Sequence, residues 1–332
     1  MFIKMKQFIK EEWKSLLVIV LFVFVMRYEL PYVIYTPGGH VNMSERISGE
    51  NTYEEKGSLS MTYVSMVRGS LPFLLLSKIM PNWDVVSTDR LTYEDADFDE
   101  TVEIDKIYMR EAISNAEYVA YTKAGIDFEE KAIHNVVTYK SAEAKTNLHY
   151  NDEIISVDGR AYTTLENFQK HISTKEVGDT IRIEYKRDGK IKYDDATIID
   201  LSGEPKIGIS IATIVDFDTD FKIEVKTKSS ESGPSGGLIT ALEIYNKIKS
   251  EDITKGNTIM GTGTIDKDGT VGEIGGVKYK LLGAYKDGAK VFICPQENYD
   301  EALEVKEKEE MDIILLGVHT FDEALQRLSE IK

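Results

Sequence analysis

The order of apolar and polar positions along the chain predicts a protein of the α+β class. Apolar residues recur every three or four positions in several segments, which predicts helices at residues 71–80, 104–124, 165–173, 236–250, 299–309 and 321–331. Alternating or short apolar runs predict strands at residues 32–35, 57–66, 180–187, 291–295 and 313–316. The strand-helix-strand-helix order after residue 290 predicts a parallel strand pair with a right-handed crossover.

The start of the chain contains an unbroken apolar run, Leu16–Met26, which follows four lysines. Because a membrane span needs about 20 residues, we expect it to extend from Phe8 to Tyr28 with its charged side chains at the lipid interface. Residues 1–30 are therefore interpreted as a single-pass transmembrane helix in the cell membrane, with a cytoplasmic start and an extracellular body. A cleaved signal peptide and a buried core helix remain alternatives, although residues 27–31 do not resemble a cleavage site.

The charge balance and the metal-binding residue types exclude some partners. The chain carries a formal net charge of −17, so a nucleic acid would be repelled and is not expected as a partner. The five histidines are scattered without the spacing of zinc ligands, and we expect no metal and no cofactor. The single cysteine, Cys294, lies in an apolar segment and is expected to be inert.

Two segments in the last third of the chain carry the candidate chemistry. Ser235 lies in a turn before the helix predicted at residues 236–250, and Lys280 follows 45 residues later. A serine hydroxyl is a poor nucleophile at neutral pH and needs a base, which an uncharged lysine can supply. Backbone amides at the start of the helix are suited to stabilise an oxyanion. The supporting residues of the turn are Gly233, Pro234 and Gly236.

These segments resemble the proteolytic domain of the Lon family of Ser-Lys proteases. In that family the serine lies in a GPSAG-like turn and the base is the second lysine of a GGxKxK segment, which correspond to Ser235 and Lys280 here. Residues 260–263 resemble the strand whose threonine orients the lysine, so the resemblance implies this role for Thr262. The likeness covers most of residues 220–332.

The chain departs from the Lon pattern in three ways. Ser232 stands where the ATP-dependent members often have an acid, and Gly236 replaces the usual alanine. No G-x-x-x-x-G-K-[ST] segment is found in the sequence, so we expect no ATP and no ATPase domain. The chain therefore most resembles the smaller, membrane-anchored Lon-like proteases that contain a PDZ domain.

The segment between the long predicted helix and the serine turn resembles a PDZ domain. Residues 147–159 are similar to the PDZ signature GL-x-x-GD-x-I-x-x-V-[ND]-G, with Asn147 and Asn151 in place of its glycines. Asparagine tolerates a positive φ better than most residues, so the turn is expected to be kept. The resemblance implies a β-rich domain with two helices, inserted into the proteolytic domain.

These resemblances divide the chain into four parts. They are a cytoplasmic start and membrane anchor at residues 1–30, the first part of the Lon-like domain at 31–125, the inserted PDZ domain at 126–200, and the catalytic part of the Lon-like domain at 201–332.

PDZ domains bind extended peptides by adding a strand to the edge of a sheet. The helix predicted at residues 165–173 would border the groove. The nearest candidate for a carboxylate-binding loop is Gly125–Phe128, in which Asp127 would repel a carboxylate, so recognition of free C-termini is not expected. The domain either assists substrate recognition or acts as a spacer or gate over the active site.

The resemblance implies an ATP-independent serine endopeptidase that cleaves extracellular peptides or unfolded proteins near the membrane with a Ser235–Lys280 dyad. The pKa of Lys280 would have to fall from about 10.4 to about 7.5, which burial can achieve. Val277, Leu281 and Leu282 are expected to line its site. Two alternatives stay open: a membrane-tethered PDZ adaptor with a non-catalytic Lon-like domain, and an acyl hydrolase with the same dyad. Because Lon domains commonly form rings, a homo-oligomer is also an open expectation.

Overall fold

The computed structural model describes residues 2–93 and 96–331 of the chain. In chain order, the helices are α1 (Phe2–Arg27), α2 (Leu71–Ser77), α3 (Phe98–Ala124), α4 (Leu165–Ile172), α5 (Gly237–Ile248), α6 (Val277–Lys286), α7 (Tyr299–Lys308) and α8 (Phe321–Glu330). The strands are β1 (Glu29–Thr36), β2 (His40–Asn42), β3 (Ile47–Ser48), β4 (Ser58–Thr62), β5 (Ser65–Ser70), β6 (Asp84–Ser87), β7 (Glu129–Lys140), β8 (Glu153–Val157), β9 (Thr180–Arg187), β10 (Lys190–Thr197), β11 (Ile199–Leu201), β12 (Glu204–Lys206), β13 (Ile209–Asp218), β14 (Glu224–Val225), β15 (Thr258–Gly261), β16 (Val291–Pro295) and β17 (Ile314–Val318).

A five-stranded sheet with the order β17-β16-β15-β4-β2 supports the candidate chemistry. Its first four strands are parallel, and β2 pairs antiparallel at the edge. Ile259 and Ile293 face one core together with α3, α5 and α8. Met260 and Phe292 face a second core together with α6 and α7. Burial on both faces is typical of parallel strands and explains the continuous apolar runs in the sequence. The predicted parallel pair, β16 and β17, is confirmed.

A second five-stranded sheet, with the order β10-β9-β8-β7-β13, is antiparallel throughout. The helix α4 covers one face of this sheet, where Phe168 and Ile172 pack with Val137 and Ile183. The sheet extends beyond residue 200, the boundary expected from the sequence, because β13 pairs with β7 as far as Asp218.

The two asparagines of the PDZ-like signature have different structural roles. Asn151 has a φ of 68°, in the left-handed region that its side chain tolerates. Asn147 instead donates from its backbone and side-chain nitrogens to the carboxylate of Asp194.

Three predicted elements near the start of the chain have different bounds in the structure. The single strand predicted at residues 57–66 is wrong, because β4 ends at Thr62 and a separate strand, β5, begins at Ser65. The segment therefore contributes β4 to the large parallel sheet and begins β5 in a three-stranded sheet with the order β5-β1-β6. The predicted helix at 71–80 ends at Ser77. The long helix α3 begins at Phe98, earlier than predicted, where Asp97 and Glu100 form a capping box.

The N-terminal helix α1 has apolar side chains that are largely exposed, including Leu17, Val20 and Phe22. Within residues 2–93 and 96–331, no helix combines the length and the apolar character needed to cross a membrane. The transmembrane helix expected from the sequence is therefore not supported by the structure.

Candidate active site

Ser235 lies in a short 3-10 turn that leads into α5. Gly233, before this turn, has φ 93° and ψ 149°, a conformation that glycine adopts without strain. Its N–H donates to Asp105 O in α3 at 3.0 Å, and Ser235 O accepts from Gly263 N–H at 2.8 Å. The serine is thus fixed between α3 and the segment that follows β15.

Lys280 lies in the first turns of α6, and its side chain points at the serine. Its Nζ is 2.8 Å from Ser235 Oγ and 2.9 Å from Thr262 Oγ1. The residue is only 3% exposed, and this burial lowers the pKa of Lys280 to about 7. A substantial fraction of the amine is therefore uncharged at neutral pH and can accept a proton.

Thr262 connects the other two residues. Its Oγ1 donates to Ser235 O at 2.9 Å, so the hydroxyl proton is already used and the oxygen accepts from Lys280 Nζ. The side chain is fully buried, and Thr262 N–H donates to Ile293 O of β16 at 2.9 Å. The structure thus brings together the serine, the threonine and the lysine that the sequence singles out.

The start of α6 is held by a carboxylate that the sequence did not reveal. Asp84 Oδ2 accepts from Lys278 Nζ at 2.6 Å and from Tyr279 Oη at 2.6 Å. The Lys278 ammonium, followed by the Tyr279 hydroxyl, lowers the pKa of Asp84. No motif could have indicated this contact, because Asp84 is 194 residues away from Lys278.

Apolar side chains of α6 pack the helix against the core between the parallel sheet and α7. Val277 and Leu281 are fully buried in the core shared with α7, and Leu282 packs against that core. They were expected to line the lysine site, and in the structure they belong to the core between α6 and α7.

A groove of about 570 Å³ opens in front of Ser235. One wall is formed by the edge strand β2, and another by residues 225–228. Its apolar lining includes four methionines, which are flexible and adapt to different side chains. They are Met43, Met61, Met66 and Met109. The groove thus offers apolar methionine side chains among polar and charged residues, with Ser235 in its lining.

The segment that leads to the serine is held by an ion pair at Glu231. Arg46 Nη2 lies 2.6 Å from Glu231 Oε1, and both side chains are largely buried. Glu231 Oε2 also accepts from Lys228 N–H at 2.8 Å. The wall of the groove is therefore held in place close to Ser235.

A second groove, with a cavity of about 680 Å³, lies between α4 and β13. Leu165, Phe168 and Ile172 line it together with the loop residues Ile207 and Gly208 and the start of β13 at Ile209–Ile211. Gly208 in this loop has a φ of 83°, which favours glycine. The pattern Ile-Gly-Ile ahead of a strand is the sequence signal that could have indicated the loop.

The loop candidate taken from the sequence, Gly125–Phe128, lies elsewhere and is wrong. Gly125 ends α3 in the left-handed conformation. Ile126 and Phe128 pack against the core of the parallel sheet, so this segment does not border the groove. Asp127 therefore lies outside the groove and does not bear on a carboxylate bound there.

Two parts of the chain match known domain families. Residues 123–197 match the PDZ domain, and residues 216–330 match the Lon protease (S16) C-terminal proteolytic domain. The second match contains the serine, the threonine and the lysine. The matches and the fold together support a mixed α/β protein that combines a PDZ domain with a Lon-type proteolytic region.

Individual relatives cover only part of the chain. It is 33% identical over 143 residues to a Lon protease of Campylobacter jejuni, which is 42% of this chain and 16% of that protein. It is 38% identical over 96 residues to Lon protease 2 of Bacillus subtilis, which is 29% of this chain and 16% of that protein. The chain thus spans less than a fifth of the length of these curated relatives. Among solved structures, the PDZ domain of an SdrC-like protein from Listeria monocytogenes is 32% identical, covers 23% of this chain and 85% of that chain, and has a TM-score of 0.22.

Proposed function

We propose that the protein is a serine-type endopeptidase in which Ser235 is the nucleophile and Lys280 the general base. The observation that carries this proposal is the 2.8 Å separation between Lys280 Nζ and Ser235 Oγ, with the amine buried and its pKa lowered to about 7. The match to the Lon proteolytic domain supports the same chemistry.

The proposed reaction has two halves. In the first, the uncharged amine of Lys280 takes the proton from Ser235 as Oγ bonds to the peptide carbonyl carbon. The C–N bond then breaks, the ammonium gives its proton to the leaving amine, and an ester to Ser235 remains. In the second half, the amine takes a proton from a water molecule whose oxygen attacks the ester, and the proton returns to Ser235 as the acid product leaves.

The oxyanion of each intermediate needs N–H donors near Ser235. Gly237 N–H already donates to Pro234 O, and Leu238 N–H donates to Gly263 O. We therefore assign the oxyanion to the N–H groups of Ser235 and Gly236, at the start of α5. The positive end of this helix favours the negative charge.

Extended peptides or unfolded proteins are the substrates that the groove fits. β2 is an edge strand of its sheet and borders the groove, so a peptide can add to it as a further strand. The PDZ domain is proposed to assist by holding another part of the same substrate. Cleavage is proposed to need no ATP, since the sequence contains no phosphate-binding G-x-x-x-x-G-K-[ST] segment.

Contact with a cell membrane and an extracellular location remain proposals. They are supported by the exposed apolar side chains of α1 between Leu17 and Phe24 and by the lysines that precede them. Floating the full chain with phospholipid vesicles in a density gradient tests the membrane contact.

The peptidase is tested by incubating the full chain, without nucleotide, with a fluorescently labelled unfolded protein such as reduced carboxymethylated α-lactalbumin. Ser235→Ala and Lys280→Ala are each expected to reduce cleavage at least a thousandfold, with unchanged circular dichroism. Lys286→Ala, at the exposed end of the same helix α6, is the matched control and should cleave normally. Full activity of either dyad variant would remove that residue from the mechanism. The absence of cleavage by the unchanged protein would favour a binding role.

A further inference from the structure

The helix α2 and the turn after it expose many apolar side chains. Five of the seven residues of α2 are large and apolar, and none of the seven is buried. Leu75 is 58% exposed, and Ile79 in the turn is 79% exposed. A contiguous apolar patch on the outside of a protein marks a binding surface. Residues 71–80 are called the α2 surface below.

The α2 surface adjoins the apolar part of α1. Glu29, two residues after the end of α1, pairs with Ser70, the residue before α2, and the two helices pack against each other. Each side chain of α1 from Leu17 to Phe24 is between 47% and 67% exposed. The two helices therefore form one apolar region, and a partner that covers one of them also meets the other.

The charged residues in this region are basic. The chain contains 57 acidic residues, but residues 13–28 and 56–83 contain no Asp or Glu. Lys14 and Arg27 stand on either side of the apolar run of α1, Lys78 follows α2, and all three are exposed. Basic residues beside an apolar surface attract anionic lipid headgroups.

A lipid surface fits this region better than a second copy of the chain. In a symmetric dimer the same patch meets itself, so the basic residues of the two copies would face one another. Anionic headgroups instead neutralise these residues, while the acyl chains cover the apolar side chains. Trp13 and Tyr28, which are 53% and 55% exposed, flank the apolar run of α1. Tryptophan and tyrosine are enriched where a membrane meets water.

We propose that the α2 surface and the apolar run of α1 lie together in the interface of a bilayer that contains anionic phospholipid. The inference rests on the membrane contact proposed above for α1. It adds a second contact, which belongs to the folded body of the protein. With two contacts the body is held in one orientation on the bilayer.

The second contact places the catalytic groove beside the lipid. Met66 in β5 lines the groove in front of Ser235, and it precedes Leu71, the first residue of α2, by five residues. Five residues of chain span at most about 18 Å, so this wall of the groove lies within that distance of the α2 surface. The substrates that this arrangement favours are peptides and unfolded chains tethered to the same bilayer.

The test places a single tryptophan in the α2 surface of the full chain. Trp13 and Trp83, the two tryptophans of the chain, are replaced by phenylalanine, and Ile79→Trp supplies the reporter. Vesicles of phosphatidylcholine and phosphatidylglycerol with brominated acyl chains are expected to quench its fluorescence at least twofold relative to unbrominated vesicles. Tyr193→Trp, in the same background, is the matched control, because Tyr193 is 56% exposed on β10, and it should lose less than a tenth.

Absence of quenching at position 79 would overturn the proposal, whether or not the protein floats with the vesicles through α1. Equal quenching at positions 79 and 193 would overturn it as well, because the lipid contact would then not be specific to α2.

A pair of charge variants separates the lipid from a second copy of the chain. Leu75→Glu combined with Ile79→Glu is expected to lower the affinity of the full chain for the same vesicles at least fivefold. Ile191→Glu combined with Tyr193→Glu makes the same change in net charge at exposed positions of β10 and should lower it less than twofold. Equal losses would overturn the proposal. In sedimentation without lipid, a dimer that only the first variant converts to a monomer would assign the α2 surface to a second copy.

The position of the groove is tested with one fluorogenic peptide, offered free in solution or coupled to a lipid in the vesicles. The Leu75→Glu and Ile79→Glu double variant is expected to cleave the coupled peptide at least fivefold more slowly and the free peptide at the normal rate. A loss on both peptides, or on neither, would contradict the placement of the groove beside the bilayer. Failure of the unchanged protein to cleave either peptide would overturn the peptidase proposal, while the quenching at position 79 would still decide the lipid contact.

Discussion

Thr262 and Lys280 are joined by a 2.9 Å contact between Oγ1 and Nζ, and this contact sets the direction of the lysine lone pair. Thr262 donates its hydroxyl proton to Ser235 O. The neutral lysine must therefore donate one of its own protons to the threonine oxygen. Its lone pair is then free to face Ser235 Oγ. The threonine thus acts through the lysine, without touching the substrate.

Replacing this threonine by valine tests its positioning role. Thr262→Val keeps the shape of the side chain but removes the hydroxyl group that orients the Lys280 amine. We therefore expect kcat to fall about 10- to 100-fold, which corresponds to an activation barrier higher by about 1.4–2.7 kcal/mol. KM should stay unchanged, because the residue is buried away from the groove. Thr262→Ser retains the hydroxyl and should recover most of kcat. Equal rates for the valine variant and the unchanged protein would contradict this role.

Two glycines of the serine turn should respond differently to alanine. A methyl group at Gly233 meets nothing within 4 Å, but its backbone has a φ of 93°, so the strain of about 1–3 kcal/mol is expected to displace Ser235. At Gly236 the three nearest atoms to the methyl group all belong to the side chain of Met61, with Sδ closest at 2.7 Å, and this flexible side chain can move. We expect Gly233→Ala to lower kcat/KM more than tenfold and Gly236→Ala less than threefold. The reverse order would show that space, and not backbone conformation, limits the turn.

The burial of the Glu243 carboxyl group in α5 predicts that the stability of the folded protein depends on pH. The side chain is fully buried, and Lys247 Nζ is 3.3 Å from its Oε1. Burial, followed by the nearby Glu55 carboxylate, raises the pKa of Glu243. The folded state therefore holds this proton more tightly than the unfolded state. The stability linked to the proton is complete below the ordinary glutamate pKa and is lost as pH rises through the folded value.

Glu243→Gln removes this dependence. We expect its free energy of unfolding in urea to exceed that of the unchanged protein by about 1–3 kcal/mol at pH 8.5, because the buried glutamate must there either ionise or hold a proton that the unfolded chain has released. At low pH, near 5, the two should be nearly equal. Glu251→Gln, at an exposed position just beyond α5, is the control and should change neither value. A constant difference at both pH values would rule out the proposed protonation.

The chemistry of the site could be read from the sequence because it lies in short, contiguous segments. The turn at residues 233–237, the strand end at 260–263 and the helix start at 275–280 each carry their functional residue locally. The helices predicted at 236–250 and 299–309 agree with α5 and α7 within two residues at each end. In these segments the local pattern and the tertiary packing favour the same structure.

The contacts between distant segments were not predictable. Alternation of apolar residues shows which face of a strand is buried, but not that β4 and β5 join different sheets. Asp84 is an ordinary surface carboxylate in the sequence, and its bonds to Lys278 and Tyr279 exist only once β6 packs against α6. The sequence placed the groove of the PDZ-like segment beside the wrong loop. The strand that borders this groove, β13, lies about fifty residues after the signature at 147–159 and completes the antiparallel sheet by pairing with β7.

The dependence of the cleavage rate on pH tests the central claim most directly. Only the uncharged amine of Lys280 can accept the serine proton, and its pKa is lowered to about 7. The single-turnover rate of peptide cleavage is therefore expected to rise about tenfold per pH unit below pH 7 and to level off above it, with a midpoint near 7. A rate that stays flat or falls between pH 6 and 9 would contradict a buried lysine base.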